Sequence, residues 1–413
     1  MRALLEASFR AAVAAADPLQ IVAPHLPSPP QGRTYVAGAG KAAASMAAAV
    51  ESRWKRPLEG IAITRYGHGV PTKCIRVVEA GHPVPDKAGE SAAREILAEV
   101  RKLGPGDLLL ALLSGGGSSL LSLPAADVPM ADLKKVTQQL LKSGAAIQEM
   151  NTVRKHLSAI HGGRLAAASR APVTALIISD VTGDDPTHIA SGPCAPDPTT
   201  YADAREILAR YKVKPPASVA KRLKAAKDET PKPGDPALKN VKNKVIATAH
   251  RSLEAAALEF AKVGVHPVIL GDTVTGEASE VAKAMAALVR EIRTYGTPWK
   301  PPVALISGGE CTVTMTGLKE NGAVRGGRCA EFLLSLGIET GGVWAIACDT
   351  DGIDGSQDNA GAILAPDSMR RGRNARAMLG RHDSYGFFKA LGDLIVTGPT
   401  RTNVNDYRAI LIT

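Results

Sequence analysis

Along the first half of this chain, short apolar runs cut off by glycine alternate with segments whose apolar residues recur every three or four positions. The first kind reads as buried strand and the second as amphipathic helix. The clearest run is LLLALL at Leu108–Leu113, six apolar residues without a polar break. A strand of that composition is expected to be buried on both faces. It runs into Ser114-Gly115-Gly116-Gly117-Ser118-Ser119. Further strands are predicted at 34–36, 61–64, 77–80 and 173–178, and helices at 1–23, 41–51, 90–103 and 131–144. This alternation predicts an α/β fold with a mainly parallel sheet, whose ligands bind beyond the carboxyl ends of the strands.

The second half has a different texture. Residues 212–244 are rich in lysine and proline and are taken as a domain boundary. Strand and helix patterns resume at 245–294, a stretch that the pattern assigns to neither side. ALISGGE at 304–310 repeats the order strand, serine, paired glycines, and 311–316 alternates like a strand. Two domains are therefore predicted, over 1–240 and 241–413.

Composition narrows the class. Hydrophobic residues make up 45% of the 413 and charged residues 22%, which supports sizeable cores and excludes disorder. Aromatics are 4%, too few for a base-stacking nucleic-acid module. The formal charge of +10 attracts anionic metabolites as readily as nucleic acid, and no nucleic-acid motif accompanies it. Five scattered cysteines with no C-x-x-C spacing point away from zinc and disulfides, toward a reducing, cytoplasmic setting. No apolar window of ~18 residues predicts a membrane span. A monomer or homodimer is expected.

The chemistry gathers at predicted strand ends. Glycines after Leu113 allow close backbone approach to a ligand, and Ser118 or Ser119 would cap a following helix whose positive end favours an anion. A plain tight turn is the alternative. Ser114, Gly115, Gly116, Gly117, Ser118 and Ser119 are thus candidate phosphate-binding residues. Lys41 follows Gly38-Ala39-Gly40 at a helix start, where the helix dipole disfavours a cation unless an anion meets it. Asp180, Asp184 and Asp185 follow a strand and suit magnesium, or else form turns and caps. Asp349, Asp351 and Asp354 resemble the start of a calcium loop but lack its remaining ligands. With Arg325, these are the parts of a phosphoryl-transfer site, although the Walker and protein-kinase motifs are absent.

The chain resembles the glycerate 2-kinase family, which joins an N-terminal Rossmann-like domain to a smaller α/β MOFRL domain. The likeness rests on GAGK at 38–41, LSGGGSS at 113–119, NTVRKHLSAIHGGRLA at 151–166 and SDVTGDDPTHIASGP at 179–193. It continues in 306–310, 325–328 with Glu331, 349–355 and GPTRTNVND at 398–406. The resemblance implies an active site in the cleft between the domains and transfer of phosphate from ATP, with Mg2+, to the 2-hydroxyl of D-glycerate. It implies catalytic roles for Lys41 and Arg325; Asp180, Asp184 and Asp351 are the candidates for magnesium or the base, with Asp180 placed among the catalytic residues and Asp180 and Asp184 as the metal ligands. Ser307, Gly308, Gly309, Arg328 and Asp351 are the corresponding substrate-binding candidates. Cys329 and Ala330 depart from the Asn and Gln common there, and His161 from a common lysine; these put substrate preference in doubt.

The rival is an NAD(P)H-dependent hydroxypyruvate reductase, because GAGKAA fits G-x-G-x-x-A after a strand. The acid expected at the end of the second strand is missing; Arg65 and Tyr66 stand there. His82 is the candidate acid for hydride chemistry.

Overall fold

The six apolar residues Leu108–Leu113 form a strand in which every residue is buried, because neighbouring strands flank it and helices cover both faces. In the computed structural model, which describes residues 1–314 and 325–413, this is the fourth strand of a six-stranded sheet. The others are β1 (Thr34–Ala39), β2 (Leu58–Arg65), β3 (Ile75–Ala80), β5 (Val173–Ile178) and β6 (Val241–Ala247), with Leu108–Leu113 as β4. Their order is β3-β2-β1-β4-β5-β6, and the pairs β2–β3, β1–β2, β1–β4 and β4–β5 are parallel. This is a doubly wound sheet, whose strand order reverses between β1 and β4. Gly40 and Ser114 follow the carboxyl ends of those two strands, at the switch point.

Two compact units divide the chain. One is 18–246; the other joins 1–17 to 247–413. This differs from the expected division at 240. Strand β6 belongs to the parallel sheet, beside β5, so the lysine-rich stretch before it lies inside the first unit. Residues 247–294 fall in the second unit. The helix Arg2–Ala14, expected in the N-terminal domain, falls there too. Its apolar face, Leu5, Phe9 and Ala12, packs on Leu253, Ala256 and Phe260 of the helix Ala249–Ala261. Ser8 and Tyr407 add a hydrogen bond of 2.8 Å. An amphipathic stripe specifies that a helix needs a partner, not which part of the chain provides it.

The second unit carries β7 (His266–Gly271), a short parallel pair of β8 (Gly276–Glu277) with β10 (Cys311–Thr312), β9 (Val303–Ser307), β11 (Trp344–Asp349), β12 (Gly361–Leu364), β13 (Leu394–Ile395) and β14 (Asp406–Ile412). Its sheet has the order β13-β12-β11-β14-β9-β7. Only the pair β7–β9 is parallel, and the other four pairs are antiparallel. Of the predicted strand 311–316, Cys311–Thr312 is strand and 313–314 are not, while 315 and 316 lie outside the described residues. All five cysteines are free thiols.

Candidate active site

At the switch point the loops after β1 and β4 are bonded to each other. Ser114 N–H donates to Ala39 O at 3.0 Å and Lys41 N–H to Gly115 O at 2.8 Å. The Ser114 hydroxyl accepts from Ala42 N–H at 3.0 Å. A side chain on Gly40, whose φ is +132°, would collide with Ser114. Ser114, Gly115 and Gly117 are therefore buried parts of the joint, while Gly116, Ser118 and Ser119 form its accessible lip.

Gly116 has φ +81°, and a β-carbon there would lie 2.9 Å from the His82 ring and 3.5 Å from Lys41 Cγ. The absent side chain thus makes room for an imidazole and for the lysine stem. The helix expected after this turn is one turn long, Gly117–Leu120, and Gly116 precedes it without a side-chain cap. Ser119 instead donates back to Gly116 O at 3.1 Å. A helix this short has little dipole, so the positive end predicted from sequence does not carry the site. The positive charge comes from side chains.

Ser118 leads away from the turn. Its hydroxyl lies 2.8 Å from that of Ser191, which donates to Asn151 Oδ1 at 3.2 Å. Arg154 Nη1 donates to the same oxygen at 3.4 Å. Beside Arg154 on the helix Ile147–His156, Lys155 is paired with Asp197 at 3.4 Å. Burial, only partly offset by Asp197, lowers the Lys155 pKa. Burial also lowers that of Arg154, with no opposing charge. His161 is neutral: burial, with Arg154 and Lys155 nearby, drives its pKa down to about 3. Its Nε2 has no hydrogen-bond partner among the described residues.

Asp180 follows β5, the neighbour of β4, and is partly buried. Asp184 sits in the next turn with φ +53°, its N–H donating to Val181 O at 3.2 Å. Asp185 is a turn former, accepting from Thr187 N–H at 2.8 Å. No group of three or more metal-type side chains occurs among the described residues. Magnesium needs only one or two carboxylates, completing its shell with water and phosphate oxygens, so Asp180 and Asp184 fit it chemically.

The candidates of the second unit are held differently. Ser307, Gly308 and Gly309 are buried at the end of β9. Arg408 donates to Gly308 O at 3.0 Å and Gly309 O at 3.4 Å. Arg408 is also paired with Asp406 at 2.8 Å. Arg328 meets Asp349 at 2.7 Å, Asp406 at 2.8 Å and Glu310 at 2.9 Å. Burial opposes its charge, but those carboxylates outweigh it and hold its pKa well above the ordinary arginine range. Asp351 is buried and accepts from Ile353 N–H at 2.9 Å, which closes its own turn. Asp354 accepts from the N–H groups of Cys329 at 3.0 Å and Ala330 at 2.9 Å, and burial pushes its pKa up to about 7. Arg325 is exposed, paired with Asp383 at 3.0 Å, and its N–H donates to His382 O at 3.1 Å.

Sequence reasoning placed Lys41 and the turn at one strand edge but missed Asn151, Arg154 and Ser191 as neighbours of that edge. Their only sequence signal was membership of the matched segments. It gave His82 a role only in the rival reading. A separate depression of about 690 Å³, lined by Arg101, Asp127, Arg164 and Arg222 among others, holds none of the predicted residues.

The sheet order, with a lysine and a glycine turn at its switch point, defines a doubly wound α/β protein. Residues 4–224 match the family described as a domain of unknown function, DUF4147, and residues 303–406 match the MOFRL family. A glycerate 2-kinase of Pyrococcus horikoshii is 41% identical over 93% of this chain and 88% of its own length. An Agrobacterium vitis protein named "Putative hydroxypyruvate reductase" is 53% identical over 100% of this chain and 94% of its own. The crystal structure of a glycerate kinase from Thermotoga maritima matches with a TM-score of 0.87 and 37% identity, covering 100% of this chain and 99% of that one. The chain belongs to the glycerate 2-kinase family, with a C-terminal MOFRL domain.

Proposed function

We propose that this protein is a glycerate 2-kinase, transferring the γ-phosphoryl group of ATP to the 2-hydroxyl of D-glycerate. The hydroxyl oxygen bonds to the γ-phosphorus as the bond from that phosphorus to the β–γ bridging oxygen breaks. The products are 2-phospho-D-glycerate and ADP. Asp180 takes the hydroxyl proton, and Lys41 offsets charge on the transferring group. Gly116 and Ser118 on the lip of the turn contact phosphate oxygens. With Asp180 as the base, Asp184 would hold magnesium together with water and phosphate oxygens, and the metal would supply charge neutralisation on the phosphates. Through the family resemblance Arg325 remains a catalytic candidate, and Arg328, Asp351 and the Ser307–Gly308–Gly309 turn remain candidates for substrate recognition.

The observation that carries this reading over the reductase is the use of the backbone after β1. In a dinucleotide fold that glycine turn and helix start cradle a pyrophosphate with free N–H groups. Here Lys41 N–H is bonded to Gly115 O and Ala42 N–H to the Ser114 hydroxyl. Gly40 of the GAGK turn is required by Ser114 packing and Gly38 by its close contact with Ala62 of β2, which explains the fingerprint without a nicotinamide cofactor. No helix among the described residues is long and apolar enough to cross a membrane.

The test uses purified protein in two assays. ADP formation with D-glycerate, ATP and magnesium, without NAD(P)H oxidation by hydroxypyruvate, is the expected result. NAD(P)H oxidation without ADP formation would refute the kinase.

A further inference from the structure

Arg154 is a partly buried positive group of the parallel-sheet unit that has no ion pair among the described residues. A guanidinium has five N–H donors. The bond to Asn151 Oδ1, at 3.4 Å, lies at the weak end of the range. No carboxylate lies within ion-pair distance of Arg154 among the described residues. The adjacent Lys155 contrasts with it, being paired with Asp197 at 3.4 Å. A partly desolvated charge without a local counter-ion is unfavourable, so one kept near the candidate turn, and still reachable from solvent, suits an anion arriving from outside.

Three further facts say where that counter-ion comes. The row Ser118, Ser191, Asn151, Arg154 is continuous in hydrogen bonds and starts on the accessible lip of the β4 turn. Asn151 Oδ1 accepts from both Ser191 and Arg154, which holds the guanidinium to the row. His161, close enough to be influenced by Arg154, is neutral and retains a buried Nε2 without a partner among the described residues.

We propose that Arg154, oriented by Asn151 and Ser191, is an oxyanion-binding residue of the same site, receiving a carboxylate or phosphate of the substrates next to the Ser118 lip. The inference rests on the kinase reading for the identity of the anion, but not for its existence. A phosphate of ATP and the carboxylate of D-glycerate share the chemistry a guanidinium recognises, and titration separates them.

Arg154→Gln and Arg154→Lys, in the full chain, are titrated calorimetrically with D-glycerate alone and with ATP alone. Loss of a charge-assisted contact weakens one of the two by roughly ten- to a hundredfold in the glutamine variant. The lysine variant retains part of the affinity, because the charge survives and the fork does not. A loss confined to ATP assigns a phosphate; a loss confined to D-glycerate assigns the carboxylate. Affinities within twofold of wild type for both probes would overturn the proposal. So would a loss of both that tracks a lowered melting temperature, since Arg154 would then be structural. If the wild-type protein binds the probes but forms no ADP, the kinase reading fails while the subsite stands.

Discussion

The tripeptide Ser-Gly-Gly ends a buried strand twice, at 114–116 after β4 and at 307–309 after β9, and the two turns have opposite surroundings. The first bonds to a neighbouring loop through its backbone and keeps a lip of glycine and hydroxyl accessible, with Lys41 and His82 against it. The second is walled in: Arg408 binds two of its carbonyls and Asp406 N–H donates to Gly309 O at 3.1 Å. The charges differ in the same way. Arg408 and Arg328 are both matched by Asp406, whereas Arg154 beside the first turn has no carboxylate among the described residues. The same three residues therefore leave an accessible lip in one unit and form a walled-in corner in the other. The difference lies in whether neighbouring side chains have already satisfied the local charge.

The largest expected effect breaks the corner. Arg408→Leu removes the partner of two carbonyls and a buried carboxylate, and lowers stability by about 3–5 kcal/mol in urea unfolding. Loss below about 1 kcal/mol would mean that the corner does not depend on its charge. At the lip, Lys41→Ala should reduce turnover roughly 10²–10³-fold with the urea midpoint unchanged, the range for removing one preorganised charge-stabilising group. Wild-type turnover would remove Lys41 from the mechanism.

Glycine replacements sharpen the contrast. Gly309 has φ +102°, and a β-carbon would collide with the Val274 backbone, which cannot yield locally. Gly309→Ala should cost about 1–3 kcal/mol. Gly116→Ala meets the His82 ring, which can swing away, so the loss is closer to the ~1–2 kcal/mol of a left-handed alanine. Its larger effect should fall on turnover, read from the same preparation.

The smallest effects are two pH slopes of opposite sign. Folded Asp354 keeps its proton up to about 7, whereas an unfolded aspartate loses it near ~3.9. The folded state then holds more protons between those values, so this group makes stability fall as pH rises through that window. His161 does the reverse: its folded pKa of about 3 lies below its unfolded value near ~6.5, so stability falls as pH drops through that window. Asp354→Asn should flatten the first slope and His161→Gln the second, in urea midpoints measured from pH 4.5 to 8. A wild-type slope in either variant would discount the burial of that group.

Much of the parallel-sheet unit was legible. The run at Leu108–Leu113, the glycines after it and the position of Lys41 follow from local pattern, because a strand buried on both faces needs an unbroken apolar run. The positive helix end expected at Ser118 was wrong, since a turn of four residues replaces the helix. The allegiance of the helix Arg2–Ala14 was not legible, because its partner helix begins at Ala249.

The sequence by itself determined which segments are strand and helix, where the glycine turns fall, and which charged residues stand at strand ends. These depend on periodicity and backbone sterics, which act over a few residues. Only the tertiary structure decided that Ser114 clamps the Lys41 loop, that Arg408 and Arg328 share Asp406, and that Arg154 stands at the end of a hydroxyl row with no carboxylate paired to it among the described residues. Charge compensation is a property of what folding brings within a few ångströms, and residues far apart in the chain supply it.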